Sequence, residues 1–170
     1  MQVCALFTFR LYRVASGSME PTYKIGDLAI VMRQPMSGTP MDGDVITLLS
    51  PDDQKSISIK RVLGVAGDRL HFDNKQLYRK GKKLDEPYVQ HLTDFADQQR
   101  DQFPRNLESE HMSEKAKLLL AQNLKDGELV VPEGYFFVLG DNRDYSLDSR
   151  YWGLLPGKNV MGHVLLRVVQ

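Results

Sequence analysis

The sequence predicts a mainly β protein, with antiparallel sheets in a partly coiled barrel or sandwich and a small α-containing insertion. Short segments that are apolar or that alternate apolar with polar residues recur along most of the 170 residues, each bounded by turn residues. Thirteen glycines and eight prolines are spread along the chain and suit many turns between short strands. One tract, residues 89–127, departs from this pattern, so the remainder fits a single β domain.

The predicted strands follow one another with short connections. Their ranges are 27–33, 44–49, 56–65, 69–72, 76–79, 128–131, 135–139 and 160–169. The pairs Asp73-Asn74 and Lys80-Gly81 are typical of successive hairpin tips. These short spacings favour antiparallel neighbours over parallel strands joined by crossover helices.

Residues 89–127 are predicted to be an insertion in the β domain. The part from 89 to 110 is rich in Asp, Gln and Arg, and we expect it to be an exposed excursion. Helix-forming residues then follow Ser113, which is a plausible N-cap for a helix reaching Leu124. The composition of the tract indicates no chemical role.

The N-terminus carries a short apolar run. Residues 3–9 are apolar, but Arg10 and Arg13 close the run well before the roughly 20 residues that a spanning helix needs. A secretory signal peptide is not expected either, because no small-residue cleavage site follows. We therefore expect residues 1–15 to be a membrane-proximal remnant of a longer segment, or a shallow membrane-contacting strand, ahead of a domain of residues 16–170.

Composition argues against several functional classes. The 22 basic and 22 acidic residues balance, which gives no electrostatic reason to expect a nucleic-acid partner. Cys4 is the only cysteine, and the four histidines lack ligand spacing. Asp144, Ser146 and Asp148 alternate like calcium ligands, but the glycine and terminal glutamate of a calcium loop are missing. We expect no metal and no cofactor.

Lys60 is the most informative residue of the predicted strands. Alternation puts Lys60 on one side of its strand with Ser58 and Val62, opposite Ile57 and Ile59. Its ammonium group faces either water, as strand lysines commonly do, or a polar cleft. A lysine is a base only when neutral, and burial can lower its pKa from about 10.4 by roughly 3 to 5 units.

Two distant segments could complete a site around such a lysine. In Ser16-Gly17-Ser18-Met19-Glu20-Pro21 the glycine allows a sharp backbone path and the proline stiffens the exit, so that a hydroxyl could face a cleft. The segment 140–153 follows an apolar strand and is dense in charges and amides, as expected of a network that positions other residues. A serine activated by a neutral lysine would hydrolyse peptide bonds without histidine.

These segments also carry a family resemblance. Ser16 to Thr22, Lys60 to Asp68, and Gly140 to Gly153 resemble the characteristic boxes of type I signal peptidases in the family's order, and Gly43-Asp44-Val45-Ile46 resembles a further box. The resemblance covers residues 8–170 and is weakest in 89–127. It implies a serine endopeptidase that removes N-terminal signal peptides from secreted preproteins at a membrane surface.

The resemblance implies a role for each matching residue. Ser18 would be the nucleophile and Lys60 the general base, while the Ser18 backbone N–H and the Ser16 hydroxyl would form the oxyanion hole. Ser146 would hydrogen-bond the lysine amine and orient it. The remaining residues would give structural support to the site: Asp148, Arg150, Asp141, Asn142 and Arg143.

The resemblance further implies partners and a location. The substrates would be preproteins with small residues at the first and third positions before the scissile bond, and a membrane lipid surface would be the second partner. The location would be the bacterial inner membrane, with the active domain on its periplasmic or extracytoplasmic face. Family members normally carry N-terminal spanning helices, of which this sequence has at most a remnant.

Other functions remain open at this point. A conjugative-pilus maturation peptidase or a mitochondrial inner-membrane peptidase would share the serine and lysine but cut other substrates. A self-cleaving repressor would need a helix-turn-helix domain, for which the sequence has no counterpart. A scaffold that only binds signal peptides is the non-enzymatic alternative.

Overall fold

The computed structural model describes residues 8–97, 100–105, 107 and 109–169. Strands dominate this part of the chain, in two antiparallel sheets that confirm the predicted fold class. In chain order the strands are β1 (Phe9–Arg13), β2 (Leu28–Arg33), β3 (Val45–Leu49), β4 (Ile57–Gly64), β5 (Arg69–Asp73), β6 (Gln76–Arg79), β7 (Lys82–Lys83), β8 (Leu124–Lys125), β9 (Glu128–Val130), β10 (Tyr135–Leu139), β11 (Leu155–Pro156) and β12 (Val160–Val168). The described residues also form α1 (Glu114–Gln122) and α2 (Ser149–Trp152).

The larger sheet has the strand order β1-β2-β12-β3-β4-β10-β11. Strand β12 bridges its two halves and carries irregularities in register against both neighbours, between Val164 and Leu166 on one side and between Val160 and Gly162 on the other. Such bulges bend a strand and increase its twist, which is how a long sheet coils. The close approach of β12 to β2 also requires glycine at 162, where a Cβ would overlap the carbonyl oxygen of Met32.

The smaller sheet has the order β7-β6-β5-β9-β8 and packs over the main hydrophobic core. This core unites fully buried side chains from both sheets with others from α1 and from the tract before it, among them Leu70, Leu129, Phe137, Leu120 and Phe103. A second cluster, around Val62, Val138 and Trp152, lies within the larger sheet near the candidate site.

The prediction of an exposed excursion at 89–110 agrees with the many exposed residues of 91–97 but is wrong for Arg100, Asp101, Phe103, Pro104 and Ser109, which are buried. Phe103 is fully buried, its ring lies 5.3 Å from that of Phe137, and its carbonyl oxygen accepts a hydrogen bond from the Phe72 N–H at 2.7 Å. Arg100 and Asp101 are also buried, because they pair with each other and with the charged loop after β10. The polar composition of the tract therefore reflects internal ion pairs as well as solvent contact.

Other expectations meet mixed outcomes. Ser113 is the N-cap of α1, with its hydroxyl accepting from the Ala116 N–H at 3.2 Å, as predicted. The helix ends at Gln122, and Leu124 begins a short strand that the sequence did not predict. Strand β1 pairs with β2 and begins at Phe9, where the apolar run ends. Cys4 and most of the apolar run lie outside the described residues, and no helix within the described ranges is long and apolar enough to cross a bilayer.

Candidate active site

The side chains of Ser18 and Lys60 contact each other in a cleft that both residues line. Ser18 lies in the 3-10 turn Gly17–Met19, shortly after β1, and Lys60 lies in the middle of β4. The Lys60 Nζ donates a hydrogen bond to the Ser18 Oγ at 2.8 Å. Only 3% of Lys60 and 8% of Ser18 is exposed, so this contact is shielded from bulk water.

Burial makes the Lys60 amine a candidate base. The loss of hydration disfavours the ammonium form and is the main cause that lowers the pKa of Lys60 from 10.5 to about 8. The carboxylate of Asp148 acts in the opposite direction, and the guanidinium of Arg150 lowers the pKa further. A substantial fraction of this amine is therefore neutral near pH 8, which an exposed lysine would not achieve.

The turn that carries Ser18 is shaped by hydrogen bonds more than by glycine. The Glu20 N–H donates to the Gly17 carbonyl at 3.1 Å, and the Tyr23 N–H donates to that of Met19 at 2.9 Å. Gly17 does not adopt the left-handed backbone region, and a Cβ there would meet only the Glu20 side chain at 3.4 Å. The chain does turn sharply at Gly17, as expected, but neither a left-handed conformation nor a close backbone approach requires glycine there. The Ser16 hydroxyl lies 3.3 Å from the Ser18 Oγ.

The loop after β10 holds this turn in place by hydrogen bonds. The Asn142 N–H donates to the Ser18 carbonyl at 3.1 Å, and the Asn142 side-chain amide donates to the Gly17 carbonyl at 3.1 Å. Gly140 permits the close approach, because a Cβ at that position would overlap the Ser18 carbonyl oxygen and lie 2.6 Å from the Ser146 Cβ. The loop therefore fixes the backbone on which the Ser18 hydroxyl is mounted.

Asp141 and Arg143 anchor the same loop to the rest of the domain. Asp141 receives two hydrogen bonds from Arg61, at 2.9 and 2.7 Å, and one from the Thr22 hydroxyl at 2.5 Å. Arg143 donates to the Gly140 carbonyl at 3.1 Å and to Glu86 at 2.6 Å. Arg61 follows Lys60 directly, so Asp141 ties the two sides of the site together.

Asp148 and Arg150 form a fully buried ion pair beneath Lys60. The Arg150 Nε and Nη2 donate to the two Asp148 carboxylate oxygens at 2.9 and 2.8 Å. Burial raises the pKa of Asp148, but the charge and hydrogen bonds of Arg150 more than offset it, and the pKa lies below its usual range. Asp148 also caps α2, since its side chain accepts from the Arg150 N–H.

Ser146 lines the cleft together with Ser18 and Lys60. Its buried Oγ lies against Gly140 and makes no hydrogen bond to the Lys60 amine within the described part of the chain. The structure therefore brings Ser146 beside the amine without a hydrogen bond between the two side chains. Its lysine-orienting role stays a prediction.

Two cavities meet at Ser16, Ser18 and Ser58. The larger, of about 540 Å³, is lined mainly by serine and charged residues, including Lys60 and Ser146, with His111 and Tyr151 also on its walls. The smaller, of about 280 Å³, is lined mainly by apolar or small side chains: Val14, Ala15, Met19, Thr47, Ile57 and Ile59. A small apolar pocket thus opens directly beside the candidate nucleophile.

The Asp144 carboxylate is surrounded by cationic side chains and backbone N–H donors. Lys75, Arg100 and the backbone N–H groups of Leu92 and Thr93 all contact its carboxylate. Within the described ranges no three His, Cys, Asp or Glu side chains are grouped to bind a metal ion.

Several supporting residues lay beyond the sequence analysis. Thr22, Glu86, Arg100 and Asp101 were not selected, although each contacts the charged loop or its anchors. Thr22 and Arg61 could have been selected from the sequence, because Thr22 lies within a motif and Arg61 is next to Lys60. No pattern in the sequence pointed to Glu86, Arg100 or Asp101.

Comparisons with known proteins give matches along most of the chain. The family model described as "Signal peptidase, peptidase S26" matches residues 1–169. Signal peptidase I of Pseudomonas fluorescens is 29% identical over 180 residues, which cover 92% of this chain and 63% of that protein. Signal peptidase I V of Bacillus subtilis is 32% identical over 154 residues, covering 89% of this chain and 80% of that protein.

A solved structure of a signal peptidase I from Enterococcus faecalis is 31% identical to this chain. It matches with a TM-score of 0.49, over 75% of this chain and 97% of that one. The chain thus spans less than two thirds of the Pseudomonas protein and about four fifths of the Bacillus one.

Proposed function

Because the chain belongs to the signal peptidase, peptidase S26 family, we propose that it is a serine endopeptidase that removes N-terminal signal peptides from preproteins with Ser18 and Lys60 as its catalytic pair. The observation that carries this proposal is the 2.8 Å hydrogen bond between the Lys60 Nζ and the Ser18 Oγ. It joins a hydroxyl to a buried amine whose pKa lies near 8, which is the pairing that a lysine general base requires.

The first half of the reaction forms an acyl-enzyme. The neutral Lys60 amine accepts the Ser18 proton while the Ser18 Oγ attacks the scissile carbonyl carbon. The carbonyl oxygen becomes an oxyanion, for which the Ser18 backbone N–H and the Ser16 hydroxyl are the proposed donors. The tetrahedral intermediate then collapses, its carbon–nitrogen bond breaks, and the Lys60 ammonium returns the proton to the leaving amine.

The second half consumes water. The Lys60 amine, neutral again, takes a proton from a water molecule as the water oxygen attacks the Ser18 ester. Collapse of the second intermediate releases the signal-peptide carboxyl group and gives the proton back to the Ser18 Oγ. The amine begins and ends neutral, so burial of Lys60 serves both halves.

The strand beside the dyad offers a binding edge for an extended substrate. Residues 57–60 of β4 pair with β3 on one side, whereas β10 pairs with β4 only from Arg61 onward. The free edge of 57–60 can therefore add a peptide strand by backbone hydrogen bonds, a common mode of peptide recognition. The 280 Å³ cavity beside Ser18 would then accept small apolar side chains next to the scissile bond and exclude large ones.

An apolar face on the larger sheet supports contact with lipid. In cross-strand register, Leu11 lies opposite Ile30, which lies opposite Leu166, so the three side chains share one face. Leu11 is 59% exposed and Leu166 is 61% exposed, with Phe9 and Val168 exposed nearby. Large exposed apolar patches mark interaction sites. We propose that this face rests on the membrane, which would hold the cleft after β1 close to membrane-bound preproteins.

The proposed location is the outer face of a bacterial inner membrane. Substrate and lipid surface meet there, since a preprotein is still held by its apolar signal segment as its cleavage site emerges. Vesicle co-sedimentation tests the lipid contact: Leu11→Lys with Leu166→Lys is expected to release the protein from vesicles. Unchanged binding by this double variant would contradict the assigned face.

The activity is tested with a purified preprotein that has alanine at the first and third positions before the cleavage site. Wild-type protein is expected to cut after the second alanine, and Ser18→Ala and Lys60→Ala are each expected to lower kcat/KM by at least about a thousandfold. Circular dichroism would verify that both variants are folded. A folded Lys60→Ala protein that cuts at the normal rate would exclude the lysine as base.

A further inference from the structure

Asp101 is fully buried at the junction between the 89–127 tract and the charged loop after β10. Its carboxylate receives two hydrogen bonds from Arg100, at 2.9 and 2.8 Å, and one from the Asp97 N–H at 2.9 Å. The Arg100 Nη2 in turn lies 3.0 Å from the Asp144 Oδ1. These contacts hold the Asp101 carboxylate in the interior, next to the charged loop after β10.

From this position Asp101 faces Arg150. Arg150 uses its Nε and Nη2 on Asp148, and the same Nη2 donates to the Arg143 carbonyl at 2.7 Å. The remaining nitrogen, Nη1, has no hydrogen-bond partner among the described residues and lies 3.7 Å from the Asp101 Oδ1. Both side chains are completely buried, so water does not screen this interaction.

The Arg150 guanidinium therefore stands between two carboxylates, and only one of them is close to Lys60. The charged groups that act on the Lys60 amine are Asp148, Arg150 and Asp141, all from the loop after β10 and the start of α2. The turn that carries Ser18 presents an uncharged hydroxyl to the amine. The strength of the pairing between Arg150 and Asp148 therefore affects how strongly Asp148 stabilises the Lys60 ammonium.

We propose that Asp101 is a positioning residue for the proposed reaction: by attracting the outer nitrogen of Arg150, it sets how far Arg150 neutralises Asp148 beside the catalytic amine. The proposal rests on Lys60 being the general base. It assigns a role in catalysis to a tract whose composition indicated none, and it explains why a polar segment is folded into the interior beside α2.

The two members of the Arg100–Asp101 pair are expected to act in opposite directions. Without the Asp101 charge, Arg150 is free to neutralise Asp148 more fully, and the Lys60 ammonium loses stabilisation. Without the Arg100 charge, the uncompensated Asp101 carboxylate draws Arg150 away from Asp148, and the ammonium gains stabilisation. If the Arg100–Asp101 pair were purely structural, both variants would be less stable, and the pKa of Lys60 would not shift in opposite directions.

The test compares Asp101→Asn with Arg100→Gln. For each, kcat/KM on a signal-peptide substrate is measured against pH, and the Lys60 Cε resonance is titrated by NMR in ¹³C-lysine-labelled protein, assigned by its loss in Lys60→Ala. The titration midpoint of Lys60 is expected to fall in Asp101→Asn and to rise in Arg100→Gln, each by roughly half a pH unit. Asp68→Asn is the matched control, since Asp68 is a buried aspartate paired with Lys80 at 2.8 Å that lines neither cavity at Ser18.

Titrations that coincide with wild type, or that move in the same direction for both variants, would overturn the proposal. If Asp101→Asn fails to fold, Arg100→Gln alone decides, because an unchanged Lys60 titration in that variant contradicts the role. If the wild-type protein fails to cleave preproteins, the proposed function is wrong, yet the NMR titration still measures the effect of Asp101 on the amine. The two failures are therefore distinguishable.

Discussion

Asn142 holds Ser18 through two hydrogen bonds to the backbone around it. Its N–H donates to the Ser18 carbonyl at 3.1 Å, and its side-chain amide donates to the Gly17 carbonyl at 3.1 Å. Asn142 is buried and makes no contact with Lys60 in these bonds. The position of the nucleophile is thus set by a residue that takes no part in the proposed proton transfers.

Asn142→Ala is expected to lower kcat by roughly tenfold, because the Gly17 carbonyl keeps only the Glu20 N–H as a donor and the turn loses a hydrogen bond that fixes it, at a cost of about 0.5–1.5 kcal/mol. KM should change little, since Asn142 lines neither cavity at Ser18. Steady-state kinetics on a peptide substrate would measure both constants. Asn142→Asp, which keeps the size but removes the donor, should be equally impaired; normal kcat in either variant would contradict the positioning role.

Gly140→Ala is expected to be more damaging than its size suggests. The new methyl group would overlap the Ser18 carbonyl oxygen and the Ser146 side chain, so the loop and the turn must move apart. We expect a loss of roughly 1–3 kcal/mol in the free energy of unfolding, as for overpacked interiors, together with a large loss of kcat.

Gly157→Ala is the matched control for this prediction. Gly157 lines neither cavity at Ser18, and a Cβ there would lie 3.2 Å from the Gly134 carbonyl oxygen, with no contact under 3.0 Å. The free energy of unfolding, measured in urea, should fall less than in Gly140→Ala, and kcat should stay near the wild-type value. Equal effects of the two substitutions would show that the approach at Gly140 has no special importance.

The pH dependence of cleavage should follow the Lys60 amine. Only the neutral amine accepts the Ser18 proton, and the neutral fraction grows as pH rises through a pKa of about 8. We therefore expect kcat/KM to rise with pH, with a midpoint near 8, and to be about tenfold lower at pH 7 than on the plateau. A rate that is already maximal at pH 6 would rule out a lysine base with this pKa.

Asp144→Asn should weaken the protein at neutral pH more than in acid. Burial opposes ionisation of Asp144, but hydrogen bonds from Thr93, Lys75 and Leu92 outweigh it and hold its pKa below the usual range. Its contribution to stability is therefore full above the unfolded pKa of about 4 and is lost as pH falls toward the folded pKa. At pH 7 we expect a loss of roughly 2–4 kcal/mol in the variant.

Urea unfolding of both proteins at pH 7 and pH 3 would measure this difference. The gap in unfolding free energy between wild type and Asp144→Asn should narrow at the lower pH. Glu114→Gln serves as the control, because the ion pair of Glu114 with Lys117 is on the surface of α1 and should contribute less than about 1 kcal/mol at either pH. A gap that is constant with pH would exclude ionisation of Asp144 as its origin.

Local patterns in the sequence determined most of the sheet. Short segments that are apolar or alternating predicted β2, β4 and β10, and the turn residues Asp73-Asn74 predicted the hairpin of β5 and β6. The N-cap at Ser113 was equally local, since it depends on residues within one helical turn. The motifs likewise named Ser18, Lys60 and the loop after β10, because each group of residues is contiguous in the chain.

Only the tertiary structure decided how these groups act on one another. Burial of Lys60 depends on packing between segments far apart in the chain, and its pKa follows from that burial. Phe103 and Asp101 lie in a tract whose polar composition predicted exposure. Both are nevertheless buried, because the Phe103 ring packs in the core and Asp101 pairs with Arg100. Hydrophobic burial and charge pairing are non-local, so composition along one segment does not determine what that segment will face.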